Sequence, residues 1–560
     1  MTTCKTCQKE FEVSATGLEI LRTLDLPHPT NCETCAMRAM MAIRNERTLY
    51  PRKCDQCDKP ILSMYGADSD FKILCNQCWS ADSWDATMFG LKYKGPETFF
   101  TQLKELQKQV PRQALISLNS ENCDYCNHIR DSKGCYMCIL VADQCERDFY
   151  CYWIVHVLDS ADCYYIRKGE RLFNCVATFD SYNCTYLLES EKCMDCHFSY
   201  DLRGCSNCVF SSNLRNKNFV FDNQQLTKEE YESKIASLDR GSFAKSAEYK
   251  KKWLEVIAKA IHRYCYDINC QESSGDNLQN CTKTELVFNS FDDENVYNGA
   301  SVLCAKNVVY GFSIGTQPVE WAAHVSVLKG GNKMIECFNV AYSSDVYFCE
   351  NLVSCTDCLG CNGLNKKEFC ILNKQYTKEE YTKIKSELLE SWKKSGATAE
   401  FIPKGLYAFA YNESAAQDFY PLEKAEALRL GFAWNDNMPG TRGKETLKVA
   451  QIPDKISEVG DDILTQVLAC SGCGKNYKII KGELALYRTL GVPVPRECFD
   501  CRLRSWLKLM GERKLGERTC DCSKPGHSHT GQCPKKFVTR FVGGEEKNVF
   551  CAECYEKEIV

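Results

Sequence analysis

Five cysteines near the N-terminus, Cys4, Cys7, Cys32, Cys35 and Cys54, recur at Cys470, Cys473, Cys498, Cys501 and Cys520, a shift of 466 positions with no gap. Between them Arg22-Thr23-Leu24 falls on Arg488-Thr489-Leu490, Pro27 and Pro29 on Pro493 and Pro495, and Glu46-Arg47 on Glu512-Arg513. The chain therefore carries one cysteine-paired module twice. A C-x2-C turn puts two thiolates on one knuckle, and two knuckles complete a tetrahedral four-thiolate site. Such a soft donor set selects zinc or iron over hard cations. Disulfides and redox C-x2-C pairs are the competing readings.

A second set follows each first one. Cys54, Cys57, Cys75 and Cys78 supply it near the N-terminus, and Cys533, Cys551 and Cys554 repeat the 57–75–78 spacing near the C-terminus. Cys520 is the ungapped counterpart of Cys54, but an insertion from Cys522 to Gln532 offers Cys522, His527 and His529 as alternative fourth ligands. The expectation is about four structural zinc ions. Helix-prone stretches, Ala36 to Leu49 and Leu503 to Leu515, follow the second knuckles, a treble-clef-like order of elements. With the aromatics Phe11 and Tyr477, the Pro-x-Pro and the paired knuckles, each end resembles the zinc-ribbon (treble-clef-like) modules of uncharacterised microbial proteins. The resemblance covers roughly the first and last ninety residues and implies metal binding without a defined activity. It departs at Leu21, where the other copy keeps the aromatic Tyr487.

Forty cysteines in 560 residues would signal a disulfide framework in a short secreted chain. Here a C-x2-C begins at Cys4 where a signal peptide would have its apolar region, and no run of about 18 apolar residues marks a transmembrane helix. The expectation is a reducing, cytoplasmic setting without a membrane partner. A net charge of −4 gives no global nucleic-acid footprint.

The interior cysteines follow another rule. Cys163, Cys184 and Cys205 recur every 21 residues, with Cys175 and Cys193 between them in steps of 12, 9, 9 and 12. Short Tyr-, Val-, Phe- and Thr-rich runs alternate with Asn, Asp, Ser and Gly corners, and valine replaces cysteine in later repeats, as at Asn307-Val308. A ligand cannot become valine but an inward-packed residue can, so most of these cysteines read as a packed ladder in a β-solenoid with a repeat near twenty residues. The local pairs Cys123/Cys126, Cys135/Cys138, Cys193/Cys196, Cys205/Cys208 and Cys355/Cys358, with Cys361, keep a metal or cluster as the alternative; His128 and His197 beside them read as surface or corner residues. A second duplication, offset by 150, sets Cys205-Ser-Asn-Cys208 on Cys355-Thr-Asp-Cys358 and Gln225 to Tyr231 on Gln375 to Tyr381. Each ends in Thr-Lys-Glu-Glu, with Thr227 and Thr377 as N-caps and Glu230 and Glu380 at the capping-box position. Helices are expected ahead of each repeat, at 97–109 and 246–263.

The fold expected is mostly β with added α. Residues 1–92 form a two-zinc module, 97–240 and 241–398 two short cysteine-rich β-solenoids with helical caps, 399–460 a small α/β segment with a linker from Asn435 to Val459, and 461–560 the second module. No nucleotide loop, metalloprotease, hydrolase or deaminase signature is present, and the densest acidic run, Asp292-Asp293-Glu294, sits in a polar corner. A carbohydrate-acting solenoid enzyme is thus the weakest reading. Arg38, Arg44, Arg47, Arg502, Arg504, Lys508 and Arg513 on the helices after the knuckles would be phosphate contacts if the chain bound nucleic acid. A non-enzymatic scaffold with metal-stabilised docking ends, meeting a protein or nucleic-acid partner, asks least of the sequence.

Overall fold

The computed structural model describes the chain except for residues 142–143, 316, 396–401 and 543–546. It is mostly β with added helices. A 12-stranded sheet runs from Ser117–Leu118 to Gln224–Gln225 and a 10-stranded sheet from Asp267–Ile268 to Lys374–Gln375. Within each, neighbours pair in parallel, except for one antiparallel pair at the end, Val220 with Gln225 and Cys370 with Gln375.

The register corrects the expected repeat of about twenty residues. Tyr152 pairs with Tyr164, Tyr164 with Val176 and Val176 with Leu188, each step being twelve residues. Every third residue also takes a left-handed conformation, as at Asp159, Asp162, Tyr165, Lys168, Arg171 and Asn174. Asn and Asp tolerate that conformation best among side-chain-bearing residues, which explains the polar corners of the sequence. Their amides stack at the same interval: Asn295 Nδ2 donates to Asn307 Oδ1 at 3.0 Å, and Asn339 to Asn351 at 2.7 Å.

A period of three also sets the core. Ile154, Val157, Ser160, Cys163, Ile166, Gly169, Leu172, Cys175, Thr178, Ser181, Cys184 and Leu187 occupy every third position, and the Cys, Ile, Val and Leu among them are wholly buried. Side chains here must be small. A Cβ on Gly169 would lie 2.5 Å from Leu172 Cδ1 and 3.0 Å from Ile166 Cγ2. Cysteine fits because it is compact, and its weak donor finds a backbone acceptor: Cys184 Sγ lies 3.2 Å from Tyr182 O and 3.7 Å from Cys193 O. Ser190 makes the equivalent bond to Leu188 O at 3.0 Å. The spacings 12, 9, 9 and 12 are all multiples of three, so the 21-residue recurrence was a beat of this shorter period. His128 and His197 do sit at left-handed or adjacent positions, but their rings are buried rather than at the surface.

The helices follow in order: α1 Ala15–Thr23, α2 Glu33–Ala42 and α3 Asn76–Trp79 among the first cysteines; α4 Phe99–Gln109 ahead of the first sheet; α5 Lys228–Ala236 and α6 Phe243–Lys259 between the sheets; α7 Lys378–Ser395 after the second; α8 Ala416–Phe419 and α9 Lys424–Arg429; then α10 Lys481–Leu490, α11 Phe499–Met510 and α12 Ala552–Ile559. Helices α2 and α11 start at the second knuckle, earlier than the sequence pattern implies, because Cys32 and Cys498 are themselves the N-caps. The capping boxes hold: Thr227 N–H reaches Glu230 Oε2 at 2.9 Å, and Thr377 N–H reaches Glu380 Oε2 at 3.1 Å. Asn435–Val459 is no loose linker. Asp454 Oδ1 accepts the Ala244 N–H at 2.9 Å at the start of α6, and Ile452, Ile456 and Val459 are buried. The expected boundary at 398/399 lies outside the described residues.

The two duplications meet in one arrangement. In the first module Tyr297 of the second sheet donates to Glu33 Oε1 on α2 at 3.1 Å, and Gly17 of α1 packs on the Tyr297 ring. In the second module Tyr150 of the first sheet donates to Glu483 Oε2 on α10 at 3.0 Å, and Tyr487 lies 5.7 Å from Phe173. Each module's leading half thus packs on the sheet remote from it in sequence. The helices cross likewise: α4 packs Phe99 on Phe348 and Trp392, while α6 directs Trp253 Nε1 to Ser199 O at 3.0 Å. Each module's trailing half pairs with the strand just after that helix, Ile73 with Arg112 and Val549 with His262. Val549 lies 476 residues after Ile73, the same separation as Cys533 from Cys57, and His262 lies 150 after Arg112, the offset of the second duplication.

Candidate metal centres

Four clusters of four cysteines assemble: Cys4, Cys7, Cys32 and Cys35; Cys54, Cys57, Cys75 and Cys78; Cys470, Cys473, Cys498 and Cys501; Cys520, Cys533, Cys551 and Cys554. Within each, all sulfurs lie within 4.8 Å of one another, and each cluster could hold a metal ion such as zinc. All forty cysteines are free thiols. The spacings discriminate between chemistries. Cys7–Cys32, Cys57–Cys75 and Cys473–Cys498 stand at 3.8, 3.9 and 3.6 Å. The edge of a tetrahedron with metal–sulfur bonds near 2.3 Å is about 3.8 Å, whereas a disulfide would bring the sulfurs to about 2.05 Å.

Local backbone structure explains why the clusters form. In each first knuckle the leading cysteine's N–H bonds a carbonyl just beyond the knuckle: Cys4 to Lys9 O at 2.8 Å, Cys54 to Lys59 O at 2.9 Å, Cys470 to Lys475 O at 2.9 Å and Cys520 to Lys535 O at 2.9 Å. In each second knuckle the leading cysteine caps a helix, Cys32, Cys75, Cys498 and Cys551, where free N–H groups and the helix dipole favour thiolate. The two knuckles are tied across by N–H···S bonds: Cys32 N to Cys4 Sγ at 3.3 Å, Cys75 N to Cys54 Sγ at 3.3 Å, and Cys551 N to Cys520 Sγ at 3.2 Å. Burial pushes the Cys54 thiol up, but the N–H groups of Cys75, Gln56 and Cys57 outweigh it and hold the thiol down at about 6.

These contacts place Cys520, rather than an inserted residue, in the position of Cys54. The insertion does not drift away, however. Cys522, His527, His529 and Cys554 form a further group of ligand atoms within 4.8 Å of one another. Of the interior pairs, Cys135 and Cys205 direct their thiols to backbone carbonyls, at Lys133 O (3.7 Å) and Arg203 O (3.4 Å).

The basic residues mostly turn inward. Arg44 is wholly buried and pairs with buried Glu46 at 2.8 Å, and Arg502 pairs with buried Asp162 at 3.0 Å. Arg47 bonds Asp418 Oδ2 at 3.0 Å and pairs with Asp500 at the start of α11, joining the two modules. Arg513 stacks 3.9 Å over Phe419, and Arg38 lies 5.9 Å over Tyr420. Arg504 and Lys508 are the exposed members of the set. The acidic run does not converge: Asp293 is buried and accepts the Ala305 N–H at 2.9 Å, while exposed Asp292 bonds Asn280 and Glu294 pairs with Lys306. Among the described residues no helix is long and apolar enough to cross a membrane.

No family model and no curated protein matches the chain. Among solved structures, one described as a "putative acetyltransferase" from Desulfovibrio desulfuricans G20 aligns over 47% of this chain and 75% of that one, at 11% identity and a TM-score of 0.11. A likeness that slight carries no argument about fold or activity.

Proposed function

We propose that the chain is a non-catalytic zinc-binding scaffold: two short solenoids of twelve-residue, four-cornered coils, clasped by two copies of a zinc-ribbon-like module whose ions are structural. The observation that carries this reading is the set of four closed four-thiolate clusters, each with its sulfurs within 4.8 Å of one another and three of them with a sulfur–sulfur edge of 3.6–3.9 Å, the tetrahedral length. Four thiolates fill a tetrahedral shell and leave no open position for substrate, the mark of a structural rather than a catalytic site. Zinc suits it because it has no redox chemistry and accepts sulfur ligands in tetrahedral geometry. The solenoid reading rests on the twelve-residue register, the left-handed corner at every third residue and the inward face of small side chains. The docking role of the modules begins inside the chain, since each holds the sheet remote from it in sequence.

Metal analysis of the purified full chain tests this. At least four zinc ions per chain are expected, and stripping them with a strong chelator should abolish the ordered packing of α2 and α11, read by hydrogen exchange. A chain with three or fewer ions, or one whose α2 and α11 stay protected after stripping, refutes the reading. The nucleic-acid alternative is left with Arg504 and Lys508 as its exposed contacts; a gel shift at low salt that is lost in an Arg504→Ala/Lys508→Ala variant would favour it.

A further inference from the structure

The two modules differ at one place. The offset between them is 466 up to Cys54 and Cys520 but 476 from Cys57 and Cys533 onward, so ten extra residues enter between the first two ligands of the last cluster. The resulting segment, Asp521 to Gln532, contains no Val, Leu, Ile, Met or aromatic hydrocarbon side chain. It has no apolar face with which to hold itself against the protein. Yet Cys522 is wholly buried, and the His527 side chain is only 2% exposed.

Ligand geometry accounts for that order. Cys522 Sγ lies 3.7 Å from His527 Nδ1, and Cys554 Sγ lies 3.4 Å from His529 Nε2. A tetrahedron with metal–sulfur bonds near 2.3 Å and metal–nitrogen bonds of 2.0–2.1 Å has mixed edges of about 3.6 Å. The far side of each imidazole is already committed. His527 Nε2 meets Glu558 Oε1 at 2.9 Å, and His529 Nδ1 meets Gly531 O at 2.8 Å. A carboxylate and a carbonyl can only accept, so those nitrogens carry the protons. His527 Nδ1 and His529 Nε2 then turn lone pairs toward Cys522 and Cys554, the acceptor–imidazole–metal relay that orients ligating histidines.

We propose that the last module is binuclear: one ion held by Cys520, Cys533, Cys551 and Cys554, a second by Cys522, His527, His529 and Cys554, with the Cys554 thiolate bridging the two. Two four-membered ligand sets that share Cys554 give both ions a full tetrahedral shell from seven residues. The bridge also relieves charge. A lone dication bound by four thiolates carries two net negative charges, whereas two dications on the five thiolates of this cluster carry one. A mixed sulfur and imidazole set suits zinc. In the first module only Asp55 and Gln56 separate Cys54 from Cys57, so the equivalent thiolate, Cys78, has no second ion to bridge. The inference rests on the zinc reading above and adds a fifth ion to its four.

Native mass spectrometry of the full chain produced with zinc counts the ions directly. Five are expected in the wild type. A His527→Ala/His529→Ala variant, and separately Cys522→Ser, should hold four, or three if the bridged pair is lost together. A wild-type count of four, or a count of five that neither variant changes, overturns the bridged site and leaves the four-ion reading standing. A wild-type count of three or fewer overturns both.

Discussion

Replacing Arg502 with methionine separates a structural arginine from a phosphate contact. The Arg502 guanidinium is 7% exposed, pairs with the wholly buried Asp162 at 3.0 Å, donates to Glu497 O at 3.1 Å and lies 4.5 Å over the Tyr150 ring. Methionine keeps most of the aliphatic volume but leaves Asp162 without its cation. Removing one partner of a buried ion pair costs about 3–5 kcal/mol when the other stays charged. Asp162 has an escape: burial already pushes its carboxyl up to about 7, against the pull of Arg502, from about 3.9 in the unfolded chain. A folded value above the unfolded one means that stability is full below about pH 3.9 and falls as pH rises toward the folded value. Wild type therefore levels off above pH 7. The variant's carboxyl titrates higher still, so it goes on losing about 1.4 kcal/mol per pH unit. Near pH 6, where Asp162 is largely neutral in both, the deficit should be about 1–2 kcal/mol of lost hydrogen bonding. By pH 8.5 it should approach the full 3–5. Hydrogen exchange of the α11 amides reads this locally, as a roughly hundred- to thousandfold loss of protection at pH 8.5. Unchanged protection, within the ±0.5 kcal/mol or so typical of a surface substitution, or a deficit that does not grow with pH, would refute the buried-pair account.

Three other perturbations probe the sheets and their caps. Cys163→Val should shift stability by less than about 1.5 kcal/mol, whereas Cys163→Leu should cost about 1–3 kcal/mol through overpacking; thermal unfolding compares the two, and equal effects would argue against a tightly filled interior. Gly275→Ala should cost more than about 3 kcal/mol, since its φ is +149° and a Cβ would fall 1.8 Å from Val287 O; a soluble, fully stable variant contradicts that close approach. Thr377→Ala should cost about 1 kcal/mol by opening the capping box, read as increased exchange in the first turn of α7, while exposed Lys383→Ala leaves it unchanged.

The cysteine pairs at the chain ends were legible because their chemistry is local. A C-x2-C turn is made by neighbouring residues, and the lysine carbonyls that close the knuckles at Lys9, Lys59 and Lys475 lie five positions beyond Cys4, Cys54 and Cys470. The Thr-Lys-Glu-Glu caps were legible for the same reason. The period of three was present in the spacings 12, 9, 9 and 12, but cysteine, valine, serine, threonine and glycine are interchangeable at inward positions, so no single residue type displayed it. What belonged to the tertiary structure alone was direction and partnership. Arg44 and Arg502 read as exposed cations on basic helices, yet Arg44 is buried together with Glu46, two residues along, and Arg502 meets Asp162 only because the second module packs onto the sheet remote from it in the chain. Cys522, His527 and His529 read as substitutes for one ligand; folding brings them to the far side of Cys554, beside a cluster already complete. Sequence spacing determined which cysteines could share an ion, because that depends on a few bonds of backbone. Which sheet each module holds and which acid Arg502 meets depend on contacts between segments hundreds of residues apart, and where the inserted histidines converge depends on how their segment folds back on Cys554, so only the packed chain decides them.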